Sequence, residues 1–442
     1  MSPAPPPPPV PPTARQVIGD RRVLSFLVAQ ATSTIAVTLQ AAALAKHVYD
    51  ITDSEFALGL LGLVEFMPAL LLLPLTGSVA DRFDRRRVAA IAFTMEIGVS
   101  LLLCFYATTS PTSAVPIFGL AALFGTVRAF GLPAMRSIPP LIAPEGGLPR
   151  LIALYSATWQ VGMIVGPASS GLLYELDPAA PYAVAAMFAG LGAIATFAIR
   201  YRRPQVRTPS DQAPTLHHAL EGLRFIRRRP ILLGAISLDL FAVLFGGAMA
   251  LLPAIAEDRL HVGNIGYGWL RAAPGVGAVI VSGLLAIRPV RRRVGSVLFI
   301  AVGVFGAMTI VLGTTSSYAV AFGALVVLAA ADSISVFIRA TLVPLATPDH
   351  MRGRVSAVEN VFIGASNELG AFESGVAAAL LGVGPAVVLG GVATMMVAAL
   401  WTRWFPELRH VDTFDDATVA DHAEPADADV TSDRGLLEHE LP

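Results

Sequence analysis

Charge and cysteine are both scarce in this 442-residue chain, and each scarcity removes a class of function. Only 14% of residues are charged against 55% hydrophobic, and mean hydropathy is +0.66, far from the balance of soluble domains. The single Cys104 lies in an apolar run, so no disulfide and no multi-cysteine metal site is expected. No His or Cys cluster has metal-ligand spacing, and no nucleophile elbow occurs. No Gly-x-x-x-x-Gly-Lys-Ser/Thr loop is present to cradle ATP phosphates. Enzymatic chemistry, a bound cofactor and a nucleic-acid partner are therefore not expected. The Pro-rich opening, Pro3 to Pro12, reads as extended and solvated, and it lacks the order of charges and apolar core that marks a signal peptide.

What remains is a series of apolar runs of about 20 residues, the length that crosses a bilayer. They lie near 23–46, 56–79, 88–108, 114–135, 150–174 and 181–200, and again near 231–254, 265–287, 295–313, 318–339, 354–381 and 384–403. The expected fold is all-α and membrane-integral, with twelve transmembrane helices in two six-helix halves. Residues 1–22 form a cytoplasmic N-terminal segment and 23–200 the first half. The polar stretch 201–230 is a linker and 231–404 the second half, while 405–442 read as an acidic, disordered tail. Inside the linker, Leu216, Leu220, Leu223 and Ile226 recur at helical spacing beside Arg224 and Arg227–Arg229, the pattern of an amphipathic helix on an anionic leaflet.

Positive charge is sorted to one side. Arg15, Arg21 and Arg22, the arginines of 82–87, Arg136, Arg150, the linker arginines, Arg288 to Arg293, Arg352 and Arg354 fall on one face, and only Lys46 and Arg259 on the other. The positive-inside tendency makes the Arg-rich face, and with it both termini, cytoplasmic. The expected location is a bacterial-type inner membrane, with lipid around a monomer.

The densest charge lies in GSVADRFDRRRV, Gly77 to Val88, between two apolar runs. Charges cost several kcal/mol each inside a bilayer, so this loop belongs at the surface. A shift of 206 residues carries Arg85-Arg86-Arg87-Val88 onto Arg291-Arg292-Arg293-Val294 and Gly77 onto Gly283. A shift of 204 carries Pro140, Pro144 and Arg150 onto Pro344, Pro348 and Arg354. Two such matches in order indicate an internal repeat of six-helix halves, the architecture of alternating-access transporters.

Gly77, Asp81, Arg82, Arg85 and Arg86 also resemble the loop signature of the major facilitator superfamily, with Asp84 where that family usually has Gly. Asp tolerates a left-handed turn, so the replacement is mild. The resemblance implies a conformational loop in which the Asp81 carboxylate caps amides or holds arginines. Gly162, Gly166, Pro167 and Gly171 resemble that superfamily's antiporter motif, with Ser170 for one Gly. AFGLPAMRSIPPLI at 129–142 and SNELGAFESG at 366–375 resemble the efflux branch that includes the enterobactin exporter.

Intramembrane charges carry the mechanism that the resemblance implies. Glu65, Asp239, Asp332 and Glu373 are the candidate proton-coupling acids, and Arg128 and Arg271 their candidate partners. The repeat sets Glu65 against Arg271 and Arg128 against Asp332, which suggests salt links between halves; pairing within each half is the alternative. Glu96, in the third span, reads as a local structural pair. On the eleventh span Glu359, Asn360, Ser366, Asn367, Gly370, Glu373 and Ser374 share one arc, with Glu368 opposite. Gln40, Trp159, Asn360 and Asn367 are the candidate substrate contacts, with Gln160 beside them. The expected activity is proton-driven export of an amphipathic small molecule of drug or siderophore type. A solute importer or facilitator, or a non-transporting sensor of the same fold, are the alternatives.

Overall fold

The computed structural model describes residues 12–72, 75–76, 79, 83–200 and 216–417, and among them every regular element is helical. One half contains α1 (Arg21–Thr52), α2 (Glu55–Leu71), α3 (Arg85–Thr108), α4 (Val115–Arg136), α5 (Leu148–Leu176) and α6 (Ala180–Ala198). The other contains α7 (Pro230–Phe245), α8 (Gly263–Ile287), α9 (Val294–Thr314), α10 (Tyr318–Leu345), α11 (Asp349–Leu381) and α12 (Val383–Trp404). The path runs up and down, so the start of α1 and the finish of α12 share one end of the bundle, here called the terminal end. The opposite end is the far end.

Ten of these helices are long and apolar enough to cross a membrane, with α4 and α7 counted together with the turns that extend them to Ile142 and Arg259. The other two are α2, described over 17 residues, and α11, which carries Asp349, Arg352, Arg354, Glu359, Glu368 and Glu373. These two pack on each other across the halves. Protein thereby covers polar surface that lipid would reject. The pairing pattern obeys the repeat: α3 on α6 matches α9 on α12, and α2 on α4 matches α8 on α10. Between halves the same symmetry relates α5 on α8 to α2 on α11.

Local sequence places the helix starts. Asp20 caps α1 by accepting from Arg22 N at 2.8 Å, and Ser54 caps α2 by accepting from Ala57 N. Asp84 accepts from Arg86 N at 3.0 Å and Arg87 N at 3.4 Å, with φ −65° and ψ 113°. The left-handed turn expected there does not form, because the carboxylate serves as an N-cap in extended backbone.

Three further expectations change. The tail is ordered through residue 417: Leu408 and Val411 are buried, and Gly295 N donates to Val411 O at 3.0 Å. Arg292 donates to Asp412 from Nη2 at 2.8 Å, and Arg293 N from 2.9 Å. The Arg292 bonds, with that of Arg293 N, hold the Asp412 carboxyl below the usual carboxylate range. The docked tail is thus expected to keep this contact above about pH 4 and lose it as pH falls through the lowered value. Limited proteolysis after residue 404 at graded pH would show the release. The remainder of the tail, 418–442, lies outside the described residues. The linker helix spans Leu216–Arg228, but it spends Ile226, fully buried, on the second half's core, and Glu221 pairs with Arg354 at 2.8 Å. Protein, not only a lipid leaflet, takes its apolar face. Finally, α7 breaks at Gly246: the chain continues as a 3-10 turn (Gly247–Leu251), a short α-turn and a π-turn to Arg259. A Cβ at Gly247 would come within 2.5 Å of the Gly370 carbonyl carbon, so only glycine permits this approach of α7 to α11.

Candidate functional site

A polar pocket lies in each half. In the first, α1 supplies Gln30, Ser33, Thr34 and Thr38, α3 supplies Glu96, α4 supplies Arg128 and α5 supplies Trp159. The cavity is about 40 Å³, room for a few waters and not for a drug-sized molecule. Arg128 Nη1 reaches Glu65 Oε2 on α2 at 3.3 Å, and its guanidinium stacks 5.3 Å from the Phe124 ring centre. Arg128 Nε and Glu96 Oε1 are buried with no hydrogen-bond partner among the described residues.

The second pocket holds Asp239 and Val243 from α7, Val302 from α9, and Asp332 and Ser335 from α10. Arg339 Nη2 binds Asp239 Oδ1 at 2.6 Å, with both side chains under a tenth exposed. Asp332 lies within the field of this pair without joining it. Both ion pairs therefore form inside their own halves. The cross-half links Glu65–Arg271 and Arg128–Asp332 do not form as hydrogen bonds, although the fields of Arg128 and Arg271 both reach Glu65. Arg271 Nη1 instead donates to Met249 O at 3.2 Å. Arg339, which is not among the candidate partners read from the sequence, is the cation that Asp239 meets: the acid lies 100 residues away, and no spacing rule joins them.

Polar contacts between halves crowd the far end. Lys46 Nζ binds Asp50 on its own helix and Glu257 Oε2 across the seam at 2.8 Å. Tyr49 OH donates to Asp258, Tyr267 OH to Ala42 O at 2.9 Å, and Asn264 Nδ2 to Glu175 at 2.9 Å. Tyr174 OH braces Asp50 at 2.7 Å. Farther toward the terminal end, among the described residues, one side-chain bond crosses the seam: Gln160 Nε2 to Ser282 Oγ at 3.1 Å. The sequence carries one signal of the latch around Lys46: this is the chain's one lysine, on the face almost empty of cations.

The glycine motif on α5 does packing work. Gly162 faces Thr34 and Gly166 faces Thr38 and Leu39 of α1, while Thr38 Oγ1 donates to Gly162 O at 2.9 Å. Gly171 faces α8, where an added Cβ would meet Gly268 Cα at 2.8 Å. Pro167 sits buried between these contacts. Gly171→Val is accordingly expected to disfavour far-end closure by about 1–3 kcal/mol. A cysteine replacing Ala45 in a Cys104→Ser background should then react faster with a thiol reagent.

Other expectations fall differently. Gln40 is fully buried and accepts from Ser100 Oγ at 2.5 Å, so it ties α1 to α3 instead of reaching substrate. Glu96 is not a local pair; it points an unpartnered oxygen into the pocket. Asn360 and Asn367 are exposed, each amide donating to its own helix at 2.8 Å. On α11 the stripe containing Ser366, Gly370 and Ser374 packs toward α7, and the opposite face packs on α2: Glu368 lies against Gly62, Gly364 against Phe66 and Gly375 against Gly59. Glu373 touches Ser374 Oγ at 3.5 Å and stands apart from both pockets. Of the loop signature, Gly77, Asp81 and Arg82 lie outside the described residues. Arg85 donates to Ser137 O at 3.1 Å and Arg86 to Ile199 O at 2.8 Å, clamping the carbonyl ends of α4 and α6.

Comparison with known proteins agrees with this geometry. A family model described as Major Facilitator Superfamily matches residues 23–371. The enterobactin exporter EntS of Escherichia coli (strain K12) is 26% identical over 345 residues, covering 76% of this chain and 80% of that protein. A bacterial homologue of the human lysosomal transporter Spinster, crystallised inward-facing and occupied, superposes with TM-score 0.69 at 16% identity, over 88% of this chain and 97% of that one. A bacterial homologue of the iron transporter ferroportin, in an inward-facing state, gives TM-score 0.62 at 16% identity, over 87% and 97%.

Proposed function

The chain belongs to the major facilitator superfamily of membrane transporters, and we propose that it exports an amphipathic small molecule by proton antiport. The observation that carries this reading is the separation of two kinds of polar chemistry. Hydrogen bonds that join the halves gather at the far end, while acids with arginine partners sit deep inside each half beside water-sized pockets. The first set can break and re-form as the halves rock. The second can change protonation as water reaches it from alternate sides, and that difference in affinity between states is what coupling requires. Export polarity is supported by the enterobactin exporter relative and by the glycine motif on α5. The substrate binds between the halves, since neither pocket can hold it, and the terminal end with its arginines faces the cytoplasm of an inner membrane.

Asp332 is the leading proton carrier, because it lines a pocket next to an ion pair that already uses Arg339. Asp239 and Glu65 hold the arginines in place, and Glu373 is the remaining candidate. Asp332→Asn is expected to abolish uphill efflux while preserving downhill exchange in reconstituted vesicles. Wild-type efflux by that variant, measured with a panel of toxic compounds and siderophores, would remove Asp332 from the mechanism. If the wild-type protein moves no protons with any exported compound, antiport itself is wrong.

A further inference from the structure

The two pockets occupy one place in the repeat. A shift of 206 carries Ser33 onto Asp239, Val37 onto Val243 and Glu96 onto Val302; a shift of 204 carries Val127 onto Ala331, Arg128 onto Asp332, Gly131 onto Ser335 and Met135 onto Arg339. All of these except Arg339 line one pocket or the other, and Arg339 binds Asp239 there. Almost no ionisable position is shared, yet each pocket sets one guanidinium against two carboxyls. At the second, Arg339 faces Asp239 and Asp332, with Glu359 of α11 within their field. At the first, Arg128 faces Glu65 and Glu96, with Glu368 of α11 and Arg271 of α8 also within the field of Glu65. Charge has been kept while its positions were exchanged.

We propose that Glu96 is a second proton-binding site, the first-half counterpart of Asp332, with Arg128 passing between Glu65 and Glu96 as the proton comes and goes. This rests on the antiport reading above. One guanidinium can neutralise one carboxylate fully, and the second acid of a buried trio is then balanced by a proton. In the structure Arg128 leans to Glu65, and Glu96, 1% exposed, has an oxygen without a donor among the described residues. The Arg128–Glu65 contact at 3.3 Å is long for a charge-assisted bond, and Arg128 Nε has no acceptor among the described residues. The guanidinium is held loosely, unlike Arg339 at 2.6 Å. Around Glu96, α4 presents Arg128, α1 presents Gln30, Ser33 and Thr34, and α6 has no ionisable side chain except Tyr182 near its far end. Glu65 of α2 acts through Arg128. The pocket has room for the water that would deliver the proton. Glu96 takes a proton from the bulk, relayed by pocket water, as Arg128 moves to Glu65, and returns it by the same water when Arg128 moves back.

The test counts protons taken up or released per substrate bound by the purified full-length protein in weakly buffered detergent, and per substrate moved in vesicles. Glu96→Gln and Asp332→Asn are each expected to reduce the count by roughly half, and the double variant to abolish it. Glu96→Asp should restore the count, which a purely structural role would not do. A wild-type count in Glu96→Gln overturns the proposal while leaving Asp332 in place; no substrate-linked protons in the wild type overturns the antiport reading instead. Should Glu96→Gln fail to insert, the wild-type protein is treated with a hydrophobic carbodiimide, which modifies protonated buried carboxyls, and mapped by mass spectrometry. Modification of Glu96 that declines as pH rises supports the site, and an unmodified Glu96 at every pH overturns it.

Discussion

Replacing Arg339 with methionine is expected to cost about 3–5 kcal/mol, because it leaves Asp239 charged and buried without a partner. Arg339 is 4% exposed and Asp239 6%, and their contact at 2.6 Å is, among the described residues, the tightest buried ion pair between helices of the second half. Arg339 Nε also approaches Ser335 Oγ on its own helix at 3.4 Å, so the cation is fixed along α10 while it grips α7. The double variant Asp239→Leu/Arg339→Met should recover most of the lost stability, since apolar residues of similar size often replace a buried pair without penalty. It should not recover transport, because Asp332 would then lose the nearby guanidinium that balances it when it gives up its proton. Thermal unfolding in detergent and efflux from vesicles separate the two effects. If Arg339→Met unfolds at the wild-type temperature, the pair is not formed in the protein as isolated. If the double variant transports normally, the pair is scaffolding and the second pocket does not carry the proton.

Much of this architecture is legible in sequence for a simple reason: a bilayer imposes one length scale on every span, and charged turns cannot hide in it. The apolar runs near 88–108 and 295–313 fall within a few residues of α3 and α9. What stays hidden is which side of a span meets protein. Hydropathy separates lipid from water but not lipid from a neighbouring helix, both of which accept apolar groups. On α11 the polar arc divides, with Ser366 and Gly370 buried toward α7 and Asn360 and Asn367 exposed, and the face that meets α2 is the opposite one, carrying Gly364, Glu368, Ala371 and Gly375. Glu368 sits there because Gly62 leaves room for its carboxylate. Charge partners are hidden for a second reason: Asp239 of α7 meets Arg339 of α10 only after the two intervening helices fold, so neither residue announces the other. The break of α7 was written as Gly246-Gly247, but paired glycines are common in membrane helices, and only the approach of Gly370 gives this pair its meaning.

The lysine latch offers the most direct view of the conformational cycle. Lys46 is the only lysine in the sequence, and its side chain is 9% exposed between Asp50 and Glu257. A lysine-directed ester that cannot cross membranes is therefore expected to leave Lys46 unmodified while the far end is closed, and to modify it when the halves part. Adducts are assigned by peptide mass, and no second lysine confuses the result. Lys46→Met removes the cation shared by two acids. Because Glu257 is half exposed, water screens much of the loss, and about 1–2 kcal/mol against closure is expected. That is a shift of roughly tenfold in the ratio of closed to open states. Turnover needs both states, so efflux should fall by a similar factor, while Lys46→Arg should keep most of it. Opening of the far end in Lys46→Met is read with the cysteine at position 45. Full modification of wild-type Lys46 under all conditions, with efflux unchanged in Lys46→Met, would show that the contacts at Asp50 and Glu257 do not close this end. Tyr267 on the Ala42 carbonyl and Tyr49 on Asp258 would then carry the closure alone.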